Sequence, residues 1–254
     1  MGQLIISDLD GTLLDHHSYD WRPAENALAA ARATGAPVVL CTSKTRAETL
    51  WWQRELGLEG MPCIVENGGA VIWGTGEVER LGVPYGQLRQ VLQECAVEAG
   101  CPVRGFGDMG LEEVMGVCEL PADQAERARQ REWDEPFVVD QEPGALLAAI
   151  RKRGLSWSRG GRFYHIHGKN DKAEAARRVI ARFGRRGRVM SMGLGDGLND
   201  ATFLQVVDVP VLMPSAALEA LQRMVPQGRV AVAPGPKGWA AAVLAFLAEA
   251  GVDQ

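Results

Sequence analysis

The apolar run Leu4-Ile5-Ile6-Ser7 ends directly on Asp8-Leu9-Asp10-Gly11-Thr12, and no other junction constrains the fold as much. A short buried run bounded by turn residues reads as a strand of a parallel sheet. An alanine-rich helix over 24–33 and a second apolar strand over 37–41 follow it, which makes a βαβ unit. In an open parallel sheet, ligands bind outside the carboxyl ends of the strands. Asp8 and Asp10 therefore stand where a site is expected, and Gly11 lets the chain turn tightly behind them. Two carboxylates this close repel, and a hard cation such as Mg2+ with oxygen ligands relieves that repulsion. Taken alone, an Asp-x-Asp at a strand end reads equally well as turn chemistry.

The alternation continues with an expected helix over 45–56, a strand over 63–65 and an Asn67-Gly68-Gly69 turn leading into 70–73. It resumes late in the chain: helix 173–183, strand 189–193, helix 201–206, strand 209–213, then helices 216–223 and 239–248. Between these segments the rhythm changes. Helices near 87–99 and 122–131 are interleaved with strands near 135–139, 156–158 and 163–167. The expected fold class is α/β, a Rossmann-like parallel-sheet core of residues 1–82 and 168–254 with an α+β cap, 83–167, inserted into it. A chain of 254 residues that is 46% hydrophobic can bury a core of that size.

A net charge of -5 gives no general attraction to nucleic acid or anionic membranes, so the expected partner is a small molecule, with no nucleic acid and no membrane. No positive stretch followed by a long apolar run opens the chain, and no run approaches the ~20 residues of a bilayer span. Five cysteines without a Cys-x-x-Cys pair point away from a zinc knuckle or a secreted disulfide scaffold and toward the cytoplasm. The oligomeric state is left open.

The pentad Asp8-Leu9-Asp10-Gly11-Thr12 after an apolar strand resembles the haloacid dehalogenase superfamily of phosphotransferases. That resemblance implies three further motifs, and they occur in order. Thr42 follows the second strand, Lys172 opens a helix, and Gly195-Asp196-Gly197-Leu198-Asn199-Asp200 follows the strand over 189–193. The implied roles suit phosphoryl transfer, which depends on positioning and charge neutralisation. Asp8 is the nucleophile that forms an aspartyl phosphate. Asp10 is the acid and base, Thr42 donates to a phosphoryl oxygen, and Lys172 offsets negative charge. Mg2+ is held by Asp8, Asp196 and the Asp10 main-chain carbonyl, with Asn199 and Asp200 in support. Asp200 reads alternatively as a helix cap. The insertion between Thr42 and Lys172 resembles members whose α+β lid closes over sugar phosphates, excluding water.

Thr42-Ser43-Lys44-Thr45-Arg46-Ala47-Glu48, Glu66-Asn67-Gly68-Gly69, Arg131-Glu132-Trp133-Asp134-Glu135-Pro136-Phe137 and residues 160–172 together resemble the mannosyl-3-phosphoglycerate phosphatase family across nearly the whole chain. The implied reaction releases phosphate and mannosylglycerate, a compatible solute. A ligand bearing a phosphate, a carboxylate and a hexose suggests Ser43, Lys44, Asn67, Gly68, Arg131, Glu132, Arg162, His165 and His167 as substrate contacts. Carboxylates suit sugar hydroxyls and arginine suits a carboxylate. On a strand, His165 and His167 share one face. Plainer readings stand beside these: a solvated helix end for 131–137, a hairpin turn at Asn67-Gly68, packing for Trp51 and Trp52, and either packing or sugar stacking for Trp133. The alternative functions are a phosphatase for glucosyl-3-phosphoglycerate, sucrose phosphate or a hexose phosphate, a phosphomutase, and an inactive metabolite-binding protein. The complete set of Asp8, Asp10, Lys172 and Asp196 argues against the last.

Overall fold

A computed structural model describes residues 2–160, 163–185 and 187–249. The apolar runs at the start of the chain become β1 (Gly2–Ser7), β2 (Val38–Cys41) and β3 (Cys63–Val65), which pair in parallel. On its other side β1 pairs with β10 (Val189–Gly195), and β11 (Val209–Leu212) and β12 (Arg229–Val230) extend that half. From β3 the chain folds back antiparallel through β4 (Ala70–Ile72) and β5 (Val78–Arg80). The order is β12-β11-β10-β1-β2-β3-β4-β5. Because β2 and β10 flank β1 from opposite directions, the crevice at the carboxyl end of β1 is the topological switch point of the sheet.

Both faces of the middle of this sheet are covered, which is why its central strands β1, β2 and β3 are largely apolar rather than alternating. Leu4 and Ile6 pack with Val39 against Ala175 and Val179 of α7 (Lys172–Gly184), Phe203 of α8 (Ala201–Leu204) and Leu221 of α9 (Leu218–Met224). Ile5 points the other way. It joins Leu28 of α1 (Glu25–Thr34) and Trp239, Val243 and Phe246 of α10 (Gly235–Glu249). The helix α2 (Arg46–Glu55) starts on a capping box: the Thr45 hydroxyl accepts the Glu48 N–H, and Glu48 accepts the Thr45 N–H.

A second, antiparallel sheet occupies the chain between β5 and α7. Its strands are β6 (Arg104–Gly105), β7 (Asp134–Val138), β8 (Ser156–Gly160) and β9 (Phe163–His167), in the order β6-β7-β9-β8. On one face α3 (Tyr85–Ala99) and α6 (Gly144–Lys152) bury Leu88, Leu92, Leu146 and Ile150 against Phe137 and Ile166. The register pairs Asp134 with His167 and Pro136 with His165, so these side chains and Phe163 share the opposite face. Beside that face, α4 (Leu111–Cys118) and α5 (Ala122–Ala128) pack around Phe106 and Met109.

Sequence periodicity missed α4 and α6. The α6 helix opens on Glu142-Pro143-Gly144, which locally reads as a turn, and α4 carries Gly116 in its interior. The run 131–137 is not a solvated helix end: α5 stops at Ala128, and Asp134 through Phe137 are buried in β7. Among the described residues no helix is long and apolar enough to cross a membrane.

Candidate active site

Asp8 emerges from β1 with its backbone fixed from two sides. Its N–H donates to the Leu194 carbonyl of β10 at 2.9 Å. Its own carbonyl accepts the Ser7 hydroxyl at 2.7 Å, and Ser7 Oγ in turn accepts the indole N–H of Trp239 at 2.9 Å. Lys172 reaches the same point from the first position of α7, where Asp171 caps the helix by accepting the Glu174 N–H at 2.8 Å. Lys172 Nζ donates to Asp8 Oδ1 at 2.8 Å and to Asp200 Oδ1 at 2.6 Å. The other oxygen of Asp200 accepts the N–H groups of Asp196 (3.1 Å) and Gly197 (2.9 Å), so this carboxylate closes the loop after β10 as well as pairing with Lys172.

Carboxylate oxygens of Asp8, Asp196 and Asp200 lie within 4.8 Å of one another. Burial, reinforced by Asp200, raises the Asp8 carboxyl well above the usual range, while Lys172 pulls it down. The same two causes push Asp196 up to about 6. Burial alone would lower the Lys172 ammonium, but Asp200 and Asp8 hold it charged. One ammonium among three carboxylates leaves excess negative charge, and an all-oxygen donor set suits a hard divalent cation. Gly11 makes room for this cluster. Its φ is +73°, and a Cβ there would stand 2.5 Å from Asp196 Oδ2. The residues present therefore fit a metal of the Mg2+ type.

The Asp10 carboxylate turns away from that cluster, to Lys44 Nζ at 3.0 Å. Lys44 is also 3.9 Å from Glu48 and lies 5.3 Å from the centre of the Tyr19 ring. Burial disfavours its charge, but Asp10 and Glu48 raise its pKa above the ordinary lysine value. Thr42 is buried at the end of β2, and its hydroxyl oxygen accepts the Lys44 N–H at 3.1 Å. The hairpin between β3 and β4 braces this loop: Glu66 N–H donates to the Lys44 carbonyl and Asn67 N–H to the Thr42 carbonyl, both at 3.0 Å.

The open face of the second sheet roofs this crevice. Arg131 donates through Nη1 to the Ser43 carbonyl (3.0 Å) and to Asp134 (3.3 Å), and through Nε to the Ala128 carbonyl (3.0 Å). Asp134 is wholly buried and also meets His165 Nδ1 at 2.8 Å. Burial opposes its ionisation, but His165 and Arg131 hold its carboxyl below the usual range. A cavity of about 780 Å³ lies between the two sheets and is bordered by Asp8, Asp10, Asp196 and Asn199 below and Pro136, Phe163 and His165 above. That volume suits a small-molecule ligand.

Ser43, Lys44, Asn67, Arg131 and His165 border this cavity, whereas Gly68, Glu132 and His167 do not. Gly68 sits in the hairpin turn at φ +86°, where a Cβ would be 2.1 Å from the Asp171 carbonyl. Its lack of a side chain lets the loop carrying Lys172 approach. Glu132 contributes its backbone, donating its N–H to Glu66 at 3.0 Å, and His167 Nδ1 meets the Gly168 carbonyl at 2.9 Å. Arg162 lies outside the described residues. Trp133 is buried against Gly69 and Gly82 and does not border the cavity; Trp52 stacks on Tyr19, and Arg127 lies over Trp51. Sequence reasoning missed His16, His17, Tyr19 and Arg159, which also border the cavity. The signal for the first three was their place in the loop directly after the Asp8 to Thr12 pentad.

A family model described as haloacid dehalogenase-like hydrolase matches residues 5–98. The chain is 36% identical to a glucosyl-3-phosphoglycerate/mannosyl-3-phosphoglycerate phosphatase of Persephonella marina, over 97% of each chain. A protein of the same name from Methanococcoides burtonii is 33% identical, over 96% of this chain and 97% of its own. Among solved structures, the phosphatase BT1666 from Bacteroides thetaiotaomicron superposes with a TM-score of 0.74 at 22% identity, covering 97% of this chain and 95% of that one, a likeness of fold. With two full-length relatives above 30% identity and Asp8, Lys172 and Asp196 gathered at the switch point of the sheet, the chain belongs to the haloacid dehalogenase-like hydrolases, in the family of these two phosphatases.

Proposed function

We propose that this protein is a Mg2+-dependent phosphatase that hydrolyses mannosyl-3-phosphoglycerate, and its glucosyl analogue, to the glycosylglycerate and phosphate. The observation that carries the reading is the buried Asp8 held by Lys172 beside Asp196, at the floor of a cavity sized for a small ligand. The names of both relatives support the two sugars. Asp8 attacks phosphorus, and the bond from phosphorus to the glycerate oxygen breaks. Asp10 gives its proton to that leaving oxygen, then removes one from the water that attacks the aspartyl phosphate; the Asp8 oxygen leaves and orthophosphate is released. Thr42 donates to a phosphoryl oxygen and Lys172 balances the charge on Asp8 and the phosphoryl group. Asp8, Asp196 and the Asp10 main-chain carbonyl, with Asn199 and Asp200 behind them, would hold Mg2+, which when bound would supply positive charge beside the phosphoryl group.

In this reading residues 1–82 and 168–254 are the catalytic core and 83–167 the cap that sets the substrate. Ser43, Lys44, Asn67, Arg131 and His165 are the substrate-facing residues. The reaction belongs in the cytoplasm, in keeping with the buried thiols of Cys41, Cys63, Cys95 and Cys101. The test is phosphate release with Mg2+ from mannosyl-3-phosphoglycerate, glucosyl-3-phosphoglycerate, sucrose phosphate and mannose 6-phosphate. The two phosphoglycerates are expected to lead by a wide margin; a preference for mannose 6-phosphate would refute the substrate while leaving the chemistry standing.

A further inference from the structure

The basic side chains around the cavity differ in what they have left to offer. Arg131 is committed to the Ser43 and Ala128 carbonyls and to Asp134. Lys172 is committed to Asp8 and Asp200, and the Nδ1 of His165 to Asp134. Arg159 leans over the Tyr164 ring, 5.1 Å from its centre. Lys44 is different. It borders the cavity with one partner at hydrogen-bond distance, Asp10 at 3.0 Å, and a second carboxylate, Glu48, at 3.9 Å. An ammonium has three donors.

Lys44 is also held in place before any ligand arrives. Its N–H is on Thr42 Oγ1, its carbonyl accepts the Glu66 N–H, Thr45 after it caps α2, and its ammonium lies over Tyr19. A cation ordered in this way binds an anion without losing further side-chain freedom. Asp10, in the reading given above, must lie against the bridging oxygen of the phosphate ester. In a 3-phosphoglycerate only two carbons separate that oxygen from the carboxylate, so the group beside Asp10 is the group the carboxylate meets.

We propose that Lys44 recognises the carboxylate of the glycerate leaving group, bridging it to Asp10, and so selects phosphoglycerate esters over phosphate esters that lack an acid at that place. The proposal rests on the phosphatase reading and adds its selectivity determinant. A plain sugar phosphate brings a hydroxylated carbon to the same position, and leaves the ammonium with its two protein carboxylates alone.

The test compares 3-phosphoglycerate with glycerol 3-phosphate, which differ by the carboxylate, in the wild-type protein and in Lys44→Met and Lys44→Arg. Methionine keeps the stem and removes the charge. Loss of one charge-assisted contact corresponds to roughly 10- to 100-fold. The expected result is that Lys44→Met lowers kcat/KM on 3-phosphoglycerate by roughly that factor more than on glycerol 3-phosphate, and that Lys44→Arg recovers much of the preference. Equal losses on both esters, or a preference that survives in Lys44→Met, would overturn the proposal. Should Lys44→Met turn over neither ester, binding of the same two compounds to Asp8→Asn, with and without Lys44→Met, makes the comparison without chemistry. Wild-type protein that releases no phosphate from either glycosyl-3-phosphoglycerate would instead overturn the phosphatase reading on which this one rests.

Discussion

Replacing Glu66 with Gln tests how the two sheets are joined. Glu66 directly follows β3, is fully buried, and accepts the backbone N–H groups of Glu132 at 3.0 Å and Trp133 at 2.8 Å where the chain enters β7. Burial pushes its carboxyl up from 4.5 to about 7, with Arg131 acting in the opposite direction. The sign follows from linkage. Below pH 4.5 the group is protonated in both states and costs nothing. As pH rises toward 7 the unfolded chain releases the proton while the folded one retains it, so stability falls, and the loss is complete once pH has passed the folded value. The size of that loss is about 3 kcal/mol. Gln is close to the shape of the protonated acid and does not titrate. The stability of Glu66→Gln relative to wild type is therefore expected to improve by about 3 kcal/mol between pH 4.5 and pH 8. For a chain of this size that is a relative Tm change of roughly 6–12 °C. Thermal unfolding of both proteins at the two pH values measures it directly. A Tm difference that is the same at both would refute the burial of an ionisable latch.

Two substitutions report on the floor of the cavity. Gly11→Ala puts a methyl 2.5 Å from Asp196 Oδ2 at a left-handed φ; beyond about 1 kcal/mol of backbone cost, it is expected to raise the Mg2+ concentration needed for half-maximal activity by roughly tenfold, read from a metal titration of phosphate release. Trp239→Phe removes the donor to Ser7 Oγ beneath Asp8. The expected loss is about 1 kcal/mol of stability by denaturant unfolding, with a fall in kcat of a few-fold and little change in KM.

The parallel sheet was readable because each of its principal strands is a continuous apolar run. The positions of Asp8, Thr42, Lys172 and Asp196 were readable because each follows a strand or starts a helix. What local pattern does not carry is the partner across the fold. Gly68 looked like a ligand contact from its place in the turn, yet its lack of a side chain is required by the Asp171 carbonyl, which arrives from the far end of the inserted segment. Asp134 and Glu66 are buried acids whose partners, His165 and the 132–133 backbone, come from other elements. Periodicity marks neither residue as buried. The helices α4 and α6 were missed for a nearer reason: each is short and carries glycine or opens on a turn-forming pair, so its own residues argue against it.

In the proposed reaction Asp8 carries the phosphoryl group. Rapid acid quench of the enzyme with mannosyl-3-phosphoglycerate labelled on phosphorus, followed by peptide mapping, tests it most directly. A transient acyl phosphate is expected on the peptide containing Asp8, lost in Asp8→Asn together with turnover. Label on any other residue, or an Asp8→Asn protein that still releases phosphate at a substantial rate, would contradict it.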